Sequence, residues 1–304
     1  MDITITDKCN NRCFFCPKKK FLKLICCESL EEIKREIKNI RKISPKIVLS
    51  GGEVTIFNQF WNVLSYCKKL EFDKIGVITN GRQFKNRSFL EKVMQAGVNE
   101  FAVSIYSLKP IIHEKITGIK GSCQETIQGI NNLLSVVKIA PIILRINLVL
   151  NYYNHKEIVD TLTRLHALGI KNFIVAEQIS INYNDHFLSL NKIKNAMRRL
   201  RNCSLGDASI VLRGFAPCLF RDCIKEVSSE RIALKLNSPS IFWEKQNVDT
   251  FSKEERGKKS KYLSKFNNLF TKLSSCHMCA YDDSCSGLQK RYFGVRIIKP
   301  EKKA

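Results

Sequence analysis

The feature that most constrains the fold is a regular alternation of short apolar segments with amphipathic ones up to about residue 180. The six apolar segments read as buried β-strands, and the segments between them have helical periodicity. The predicted strands are residues 3–6, 46–50, 75–79, 100–105, 142–150 and 172–176. Because strands that alternate with helices pair in parallel through right-handed crossovers, this pattern predicts an α/β fold, a partial (β/α)6 barrel similar to a TIM barrel.

Signals for helix ends agree with this alternation. Capping boxes of the form Ser-x-x-Glu start at Ser29, Ser88 and Ser122, and each box predicts that a helix begins there. Residues 58–70 and 155–168 also have helical periodicity. The connections are therefore long enough for a helix between each pair of consecutive parallel strands.

The alternation breaks after residue 180. Residues 190–200 have a helical pattern and residues 209–213 have the composition of a strand, but no further βαβ units follow. For a chain of 304 residues, this predicts a large barrel domain over residues 1–200 and a smaller C-terminal domain over residues 201–304.

Three cysteines lie within eight residues directly after the first predicted strand, at Cys9, Cys13 and Cys16. Thiolates are soft ligands that bind iron–sulfur clusters, zinc or copper(I), so the spacing indicates a metal site. Three thiolates on a four-iron cluster leave one iron open to an exchangeable ligand. The residues alone leave two other readings open, a structural zinc site and unrelated cysteines of the core.

The spacing Cys-x3-Cys-x2-Cys, with Phe15 directly before the last cysteine, resembles the radical S-adenosylmethionine (SAM) enzymes. The resemblance implies that Cys9, Cys13 and Cys16 hold a [4Fe–4S] cluster whose fourth iron is chelated by SAM. One electron from the cluster then cleaves SAM to a 5′-deoxyadenosyl radical, and Phe15 packs near the adenine. An electron donor such as flavodoxin or ferredoxin is implied as a partner.

A second motif of the same family lies after the second predicted strand, where Gly51, Gly52 and Glu53 match its Gly-Gly-Glu motif. The resemblance implies that this segment engages the amino group of SAM, and glycines permit close approach of the backbone to a ligand. Since active sites of barrels lie at the C-terminal ends of the strands, we expect these residues at one mouth. Further SAM contacts implied by the resemblance are Thr79, Asn80, Ser104 and Asn147.

Several residues near these motifs have open roles. On the fifth strand, Arg145 or Asn151 can face the site in place of Asn147. His113 lies in a segment similar to the family's connection into the fourth helix, where it is either catalytic or a residue that stabilises the loop. The pair at residues 26–27, both cysteines, follows the cluster motif closely and can donate a hydrogen atom to a substrate radical. No catalytic residue is assigned.

The C-terminal third contains a second group of cysteines in the run Cys276, Cys279 and Cys285. Together with an upstream cysteine, this run resembles the SPASM/Twitch extension of radical SAM enzymes, which implies a second, auxiliary [4Fe–4S] cluster. The resemblance implies Cys218 as the fourth ligand, with Cys223 as its rival, whereas no cysteine lies near Gln289 as the full SPASM pattern requires. A closed zinc site, with four thiolates or with three thiolates and His277, is the alternative.

Composition restricts the class of protein less sharply. Lys and Arg number 51 against 28 Asp and Glu, which gives a net charge of +23 and favours anionic partners, although the lysines are spread along the chain. The 13 cysteines are an odd number and mostly clustered, as expected for metal binding in a reducing compartment. No apolar run approaches the roughly 20 residues that span a bilayer, and no signal peptide is recognisable, so a cytoplasmic protein is expected.

The expected function is therefore a radical SAM enzyme that abstracts hydrogen from a substrate. Members with this kind of extension often modify ribosomally made peptides or proteins, which makes peptide modification the leading expectation, by analogy. The sequence begins almost at the first strand, without a peptide-recognition domain ahead of it, which favours a small metabolite such as a nucleotide or a sugar. The remaining alternatives are a radical SAM enzyme acting on tRNA and a non-catalytic protein that binds zinc and nucleic acid.

Overall fold

Eight parallel strands form one sheet in the part of the chain that the structure describes, and their spatial order is their order in the sequence. This computed structural model describes residues 1–16, 29–179, 186–203, 205–216, 219, 232–235, 268–278, 285 and 288–293. The strands are β1 (Asp2–Thr6), β2 (Lys46–Gly51), β3 (Lys74–Thr79), β4 (Val98–Ser104), β5 (Ile143–Leu150), β6 (Asn172–Glu177), β7 (Ser209–Arg213) and β8 (Ile232–Lys235). The predicted α/β fold is confirmed, and its partial-barrel form is consistent with this topology.

Helices connect successive strands over most of the sheet. They are α1 (Leu30–Ile43), α2 (Phe60–Lys69), α3 (Arg87–Gln95), α4 (Pro110–Thr117), α5 (Ser122–Val137), α6 (Ile158–Ala167) and α7 (Leu190–Arg201). In α1, Ile33, Ile37 and Ile40 recur at helical spacing and are buried against the sheet. No helix among the described residues combines the length and the apolar character needed to cross a bilayer.

The two faces of the sheet differ, as β5 shows most clearly. Its even-numbered residues, from Leu144 to Leu150, are buried in the apolar core, whereas its odd-numbered residues are only half-buried. We call the face that carries Arg145 and Asn147 the inner face. A strand of this kind buries one row of side chains and leaves the other row able to meet a ligand.

The predicted capping boxes are only partly correct. Ser29 caps α1 as predicted, because its Oγ accepts a hydrogen bond of 3.2 Å from the backbone N–H of Glu32. The prediction for Ser88 is wrong, since Asn86 caps α3 through a 3.2 Å hydrogen bond from the N–H of Phe89. Asparagine and serine are about equally good N-caps, and here the helix begins after the earlier of the two residues, Asn86.

The prediction of a cap at Ser122 is also wrong. Gly121 precedes α5 with φ of +80°, in the left-handed region that glycine adopts without strain. The hydroxyl of Ser122, the first residue of the helix, donates to the carbonyl of Ile119 over 2.7 Å and so stabilises the preceding turn.

The sheet continues beyond the predicted domain boundary at residue 200. β7 pairs with β6 in parallel, with Ser209 opposite Asn172, and β8 pairs with β7 in the same way. The strand predicted at residues 209–213 is therefore present, but it extends the barrel sheet. The division into residues 1–200 and 201–304 stays a prediction.

A C-terminal segment, residues 288–293, contacts the end of β6. Gln289, only 1% exposed, donates hydrogen bonds to Glu177 Oε1 over 2.7 Å and to the carbonyl of Gln178 over 2.9 Å. The hydroxyl of Tyr292 donates to the same carboxylate oxygen, and burial followed by the Glu177 charge raises the pKa of this phenol well above 10. Here a short antiparallel pair, β9 (Phe270–Thr271) and β10 (Leu288–Gln289), adjoins the barrel.

Candidate functional site

The three N-terminal cysteines lie on one loop, residues 9–16, which we call the cysteine loop. Cys9 is exposed, Cys13 and Cys16 are half-buried, and none of the three forms a disulfide. A 3.1 Å hydrogen bond from the N–H of Cys16 to the carbonyl of Cys13 closes a tight turn. The loop thus carries three reduced thiols just beyond the C-terminal end of β1, where the sequence predicted them.

The phenol of Tyr106 lies near the thiols of the cysteine loop. Burial raises the pKa of Tyr106 well above 10, and the charges of Cys13, Cys16 and Cys9 raise it further. The distance between the hydroxyl oxygen of Tyr106 and Cys13 Sγ is 3.9 Å. All three predicted cluster ligands therefore lie within electrostatic reach of a single buried hydroxyl.

A cluster and a single metal ion require different arrangements of thiols. Among the described residues, no group of three or more His, Cys, Asp or Glu side chains is placed to hold one ion. In a four-iron cluster, each thiolate binds its own iron atom, so the sulfur atoms need not converge on one centre. The donor set of the cysteine loop, three thiols and no carboxylate, suits an iron–sulfur cluster chemically.

The backbone of the cysteine loop is fixed by α4. The N–H of Arg12 donates to the carbonyl of Thr117 over 2.7 Å, and the N–H of Phe14 donates to that of Ile116 over 3.1 Å. Two of the last carbonyls of α4, which lack partners within the helix, thus bind the loop between its cysteines. Gly118 follows with φ of +68°, and a Cβ there would lie 3.3 Å from the Cβ of Arg12.

Arg82 holds the same loop from the other side. Its Nη1 donates to the carbonyl of Asn10 over 2.8 Å and to Asn11 Oδ1 over 3.0 Å. Its Nε donates to Glu125 Oε2 over 2.6 Å, and Lys85 also contacts this carboxylate. Although burial raises the pKa of Glu125, its hydrogen bonds from the two cations lower it more, so the carboxylate is charged and orients the guanidinium.

Replacing Arg82 by glutamine is expected to loosen the cysteine loop. The change removes the charged group that donates two hydrogen bonds to the loop, and it leaves Glu125 without its guanidinium partner. The loop should lose about 2 kcal/mol of stabilising free energy. After anaerobic reconstitution, a chelator should extract iron several times faster from Arg82→Gln than from the wild type. Arg164→Gln, at an exposed arginine 4.0 Å from Asp160, is the control that should keep the wild-type rate. Equal rates for all three proteins would show that Arg82 does not anchor the loop.

The glycines of the Gly-Gly-Glu motif are needed for contact with protein backbone. A Cβ on Gly51 would lie 2.3 Å from the carbonyl oxygen of Thr6, and one on Gly52 would lie 1.8 Å from that of Lys8. The N–H groups of Gly52 and Glu53 donate to these two carbonyls over 2.6 and 2.7 Å. The end of β2 therefore fixes the chain that leads from β1 into the cysteine loop. The motif alone explains these glycines by close approach of the backbone to a ligand, and it does not predict their packing against the backbone of residues 6 and 8.

Glu53 links the ends of β2 and β3. Its carboxylate is 1% exposed, and its Oε1 accepts hydrogen bonds from the hydroxyls of Thr55 and Thr79, each over 2.6 Å. Its Oε2 accepts one hydrogen bond of 2.6 Å from the N–H of Asn80. The buried charge is thus stabilised by several donors, and Oε2 keeps capacity for another donor.

Two predicted SAM contacts, Thr79 and Asn80, take part in this network. The side-chain amide of Asn80 donates to Asn10 Oδ1 over 2.6 Å, which ties the end of β3 to the cysteine loop. The side chain of Glu53 thus connects the second motif with the loop through Asn80. The structure places these residues in one hydrogen-bond network, and their role as contacts of SAM stays a prediction.

Ser104 and Asn147 lie beside each other on the inner face, because they are register partners on β4 and β5. The Oδ1 atom of Asn147 is buried and has no hydrogen-bond partner among the described residues. A buried acceptor without a donor costs free energy, so a donor from a ligand is expected here. SAM carries such donors on its amino group and ribose, and the residues present therefore fit it. Of the alternatives, Asn151 is fully buried and its Oδ1 accepts from the N–H of Tyr153.

The inner face also carries charged side chains, which pair across neighbouring strands. Arg145 Nη2 is 2.9 Å from Glu100 Oε1 of the neighbouring strand. Burial raises the pKa of Asp2, and the charges of Arg213 and Arg145 oppose this shift, which places two arginines near the start of β1. Among the described residues, Arg145 and Arg213 therefore place guanidinium groups near the carboxylates of Glu100 and Asp2.

Phe15 lies against the same tyrosine that approaches the thiols. Its ring meets that of Tyr106 edge to face, with centroids 5.1 Å apart, and that of Phe14 similarly at 5.3 Å. The predicted proximity of Phe15 to adenine stays a prediction. Sequence reasoning missed Tyr106 and Arg82, although each lies two or three residues beyond a predicted site residue, Ser104 and Thr79 respectively.

His113 packs behind Tyr106. Its Nδ1 accepts a 3.3 Å hydrogen bond from the N–H of Tyr106, and the two rings stack with centroids 5.6 Å apart. The imidazole is 1% exposed, and burial, together with the charge of Arg82, lowers its pKa from 6.5 to about 4. These contacts support the reading of His113 as a residue that stabilises the loop.

The low pKa of His113 should make folding stability depend on pH. Between pH 6.5 and about 4 the unfolded chain binds a proton at this residue that the folded chain does not. Stability is therefore full above pH 6.5 and falls as the pH falls, by roughly 3 kcal/mol at pH 4. In urea unfolding of the iron-free protein, His113→Gln should lose about that much less stability between pH 7 and 4 than the wild type.

The exposed His277 provides the control for this measurement, because His277→Gln changes a histidine without burial. Its stability should fall with pH as that of the wild type does. Parallel pH profiles for the wild type and His113→Gln would contradict the prediction.

Of the C-terminal cysteines, the structure describes Cys276 and Cys285, both half-buried. Cys276 lies in a helical turn, Ser274–Met278, where its Sγ accepts from the N–H of Leu273 over 3.2 Å. The other proposed ligands, Cys218, its rival Cys223 and Cys279, lie outside the described residues. The cysteines at 26 and 27 also lie outside them. The auxiliary cluster and the SPASM/Twitch domain stay predictions.

Comparison with known proteins identifies the family of this fold and site. The model of the Radical SAM superfamily matches residues 3–165, more than half of the 304-residue chain. The match covers the cysteine loop, the Gly-Gly-Glu motif and the first five strands. The chain therefore belongs to the Radical SAM superfamily, as its cysteine spacing predicted.

Relatives in sequence have names that refer to a nucleotide. The chain is 32% identical over 142 residues to a probable GTP 3',8-cyclase of Thermococcus kodakarensis, a match that covers 45% of each chain. It is 26% identical over 205 residues to a probable GTP 3',8-cyclase of Methanocaldococcus jannaschii, which covers 64% of this chain and 65% of the relative. Each match thus spans less than two thirds of the relative.

Among solved structures, the fold is similar to SuiB of Streptococcus suis bound to S-adenosylmethionine. The TM-score is 0.62 with 16% sequence identity, over 94% of this chain and 72% of SuiB. SuiB has also been solved with its precursor peptide SuiA, and that structure matches with a TM-score of 0.58. At this identity the likeness concerns the fold.

Proposed function

We propose that this radical SAM enzyme abstracts hydrogen from a small nucleotide, in a reaction similar to that of a GTP cyclase. The observation that carries the proposal is the match to two probable GTP 3',8-cyclases, over 142 and 205 residues. The inner face supports it, since Arg145 and Arg213 supply guanidinium groups that suit phosphate oxygens. Among the expectations from sequence, this favours the small-metabolite alternative over peptide modification.

In the proposed mechanism the chain binds the cofactors, orients the substrate and shields the reacting atoms from water. Cys9, Cys13 and Cys16 of the cysteine loop would hold a [4Fe–4S] cluster, which together with SAM would supply radical chemistry for hydrogen abstraction. The Oδ1 atom of Asn147, which has no partner among the described residues, would accept a hydrogen bond from SAM, and Ser104 beside it would offer a hydroxyl. The glycines and Glu53 keep the ends of β2 and β3 fixed, so that the cofactor contacts retain their geometry.

The nucleotide phosphates would bind at the inner face. Arg213 lies on β7 opposite Ala176, and its charge counteracts the rise that burial causes in the pKa of Asp2. Arg145 is paired with Glu100, which orients it in the barrel interior. A triphosphate held there would fix the ribose and base with respect to the mouth of the barrel, and this positioning would select the carbon that loses hydrogen.

The proposal is tested by supplying candidate substrates to the anaerobically reconstituted enzyme with dithionite and SAM. GTP should increase the rate of 5′-deoxyadenosine formation at least about tenfold and should itself be consumed, whereas guanosine should have little effect. Arg213→Met should raise the KM for GTP by about tenfold, which corresponds to a loss of roughly 1.4 kcal/mol in the free energy of GTP binding. The exposed control Arg164→Met should leave the KM unchanged.

Peptide modification is the second candidate, because the fold resembles SuiB, which has been solved with its precursor peptide SuiA. The same assay separates the two. If no nucleoside triphosphate affects 5′-deoxyadenosine formation, and a precursor peptide encoded beside this chain does, the nucleotide proposal is wrong. Salt-dependent stimulation by tRNA would instead favour a nucleic-acid substrate that is attracted by the net charge of +23.

A further inference from the structure

The side chain of Tyr106 is held rigidly between β4 and the cysteine loop. Its ring stacks on His113 with an interplanar angle of 24° and meets Phe15 edge to face at 88°. Its backbone N–H donates to His113 Nδ1 over 3.3 Å, and its carbonyl accepts from Asn154 Nδ2 over 2.9 Å. With 8% exposure, the residue has little freedom to turn its hydroxyl elsewhere.

The hydroxyl of Tyr106 lies next to the thiol of Cys13. Its oxygen lies 3.9 Å from Cys13 Sγ, within hydrogen-bond reach for sulfur. A thiol can donate such a bond, but a thiolate bound to iron has no proton and can only accept. Once the cysteine loop holds its cluster, the phenol O–H must therefore be the donor in this pair.

We propose that Tyr106 donates a hydrogen bond to the iron-bound sulfur of Cys13 and thereby raises the reduction potential of the SAM-binding cluster. Tyr106 acts through the cluster and is a positioning residue. The inference rests on the assignment of the cluster to the cysteine loop and is independent of the substrate in the proposed function.

The sign of the effect follows from the charge that reduction adds. When the cluster accepts one electron from an external reductant, part of the added negative charge resides on the sulfur atoms. A hydrogen bond to sulfur stabilises the reduced state more than the oxidised state, so it raises the potential. In a buried site this effect is enhanced, because water screens it poorly.

The matched pair of variants for the test is Tyr106→Phe and Tyr153→Phe. Phenylalanine at position 106 keeps the ring between His113 and Phe15 and removes only the hydroxyl. Tyr153 also contacts the loop, through the ring of Phe14 with centroids 5.2 Å apart, and serves as the control. Both proteins are reconstituted anaerobically, and the potential is measured by redox titration monitored by EPR. The signal that changes when SAM is added identifies the relevant cluster.

A lower potential for Tyr106→Phe than for the wild type, with unchanged iron content and a wild-type potential for Tyr153→Phe, is the expected result. An unchanged or higher potential for Tyr106→Phe with full iron content would overturn the proposal. The nucleotide assay is separate, so failure of the proposed substrate leaves this result unaffected.

A second variant keeps the test decisive if Tyr106→Phe does not retain its iron. Tyr106→3-fluorotyrosine, introduced at this position alone, keeps the ring and the hydroxyl but makes the phenol a stronger donor. The potential should then rise above that of the wild type. A potential that stays the same or falls would overturn the proposal, whatever the behaviour of the phenylalanine variant.

Discussion

A variant in which Cys9, Cys13 and Cys16 are all replaced by alanine is expected to lose about four iron atoms per chain and all cleavage of SAM. The three thiols are the predicted protein ligands of one cluster, and the described residues around them provide the contacts that shape their loop. Without thiolates, the loop keeps no soft ligand for iron. Iron counting after anaerobic reconstitution and assay of 5′-deoxyadenosine with dithionite measure both effects.

Cys203→Ala is the matched control for the triple variant, because this half-buried thiol lies 3.4 Å from Thr163 Oγ1, at a different position in the fold. It should keep the iron content and the activity of the wild type. If the auxiliary cluster is present, the wild type should hold about eight iron atoms and the triple variant about four. Zinc in place of iron, or SAM cleavage that survives the triple change, would contradict the assignment.

Gly52→Ala is expected to destabilise the protein by at least about 3 kcal/mol and to prevent stable cluster binding. The new Cβ would lie 1.8 Å from the carbonyl oxygen of Lys8, 2.5 Å from its carbonyl carbon and 2.9 Å from that of Asp7. All three are backbone atoms, so no rotamer change can relieve the overlap. The chain entering the cysteine loop must then move away from β2. Urea unfolding and the iron content after reconstitution measure the two effects.

Gly169→Ala separates this overlap from the general cost of adding a side chain to glycine. Gly169 has φ of +102°, but nothing lies within 4 Å of its hypothetical Cβ, so only backbone strain of about 1 kcal/mol is expected. Cluster binding should be unaffected in this control. If Gly52→Ala were as stable as Gly169→Ala and retained its iron, the close packing of β2 against the loop would not be essential.

The barrel was predictable because each element carries its own local signal. The six predicted strands lie within two residues of β1 to β6, since buried parallel strands are nearly continuous apolar runs. The membership of β7 in the same sheet could not be read from the sequence. Residues 209–213 have the composition of a strand, but their partner is set by the position of Asn172 and its neighbours in β6.

The site was predictable where a motif is contiguous and was missed where contacts join distant residues. Cys9, Cys13 and Cys16 were found because their spacing is local. Tyr106 and Arg82 were missed because their partners in the loop are 93 and 72 residues away respectively. Hydrogen bonds of this kind depend on side-chain placement in the folded barrel, and they leave no periodic pattern in the sequence.

The anchoring of the cysteine loop has a consequence for how the enzyme matures in the cell. The loop lies near the start of the chain, yet it is fixed by Arg82, by the end of α4 and, through Arg82, by Glu125. A ribosome that has released only the first strand presents three thiols on an unshaped segment. Because these anchors follow the third and fourth strands in the sequence, we expect the loop to reach its final shape only after about the first four strands have folded, and iron–sulfur assembly to follow barrel folding.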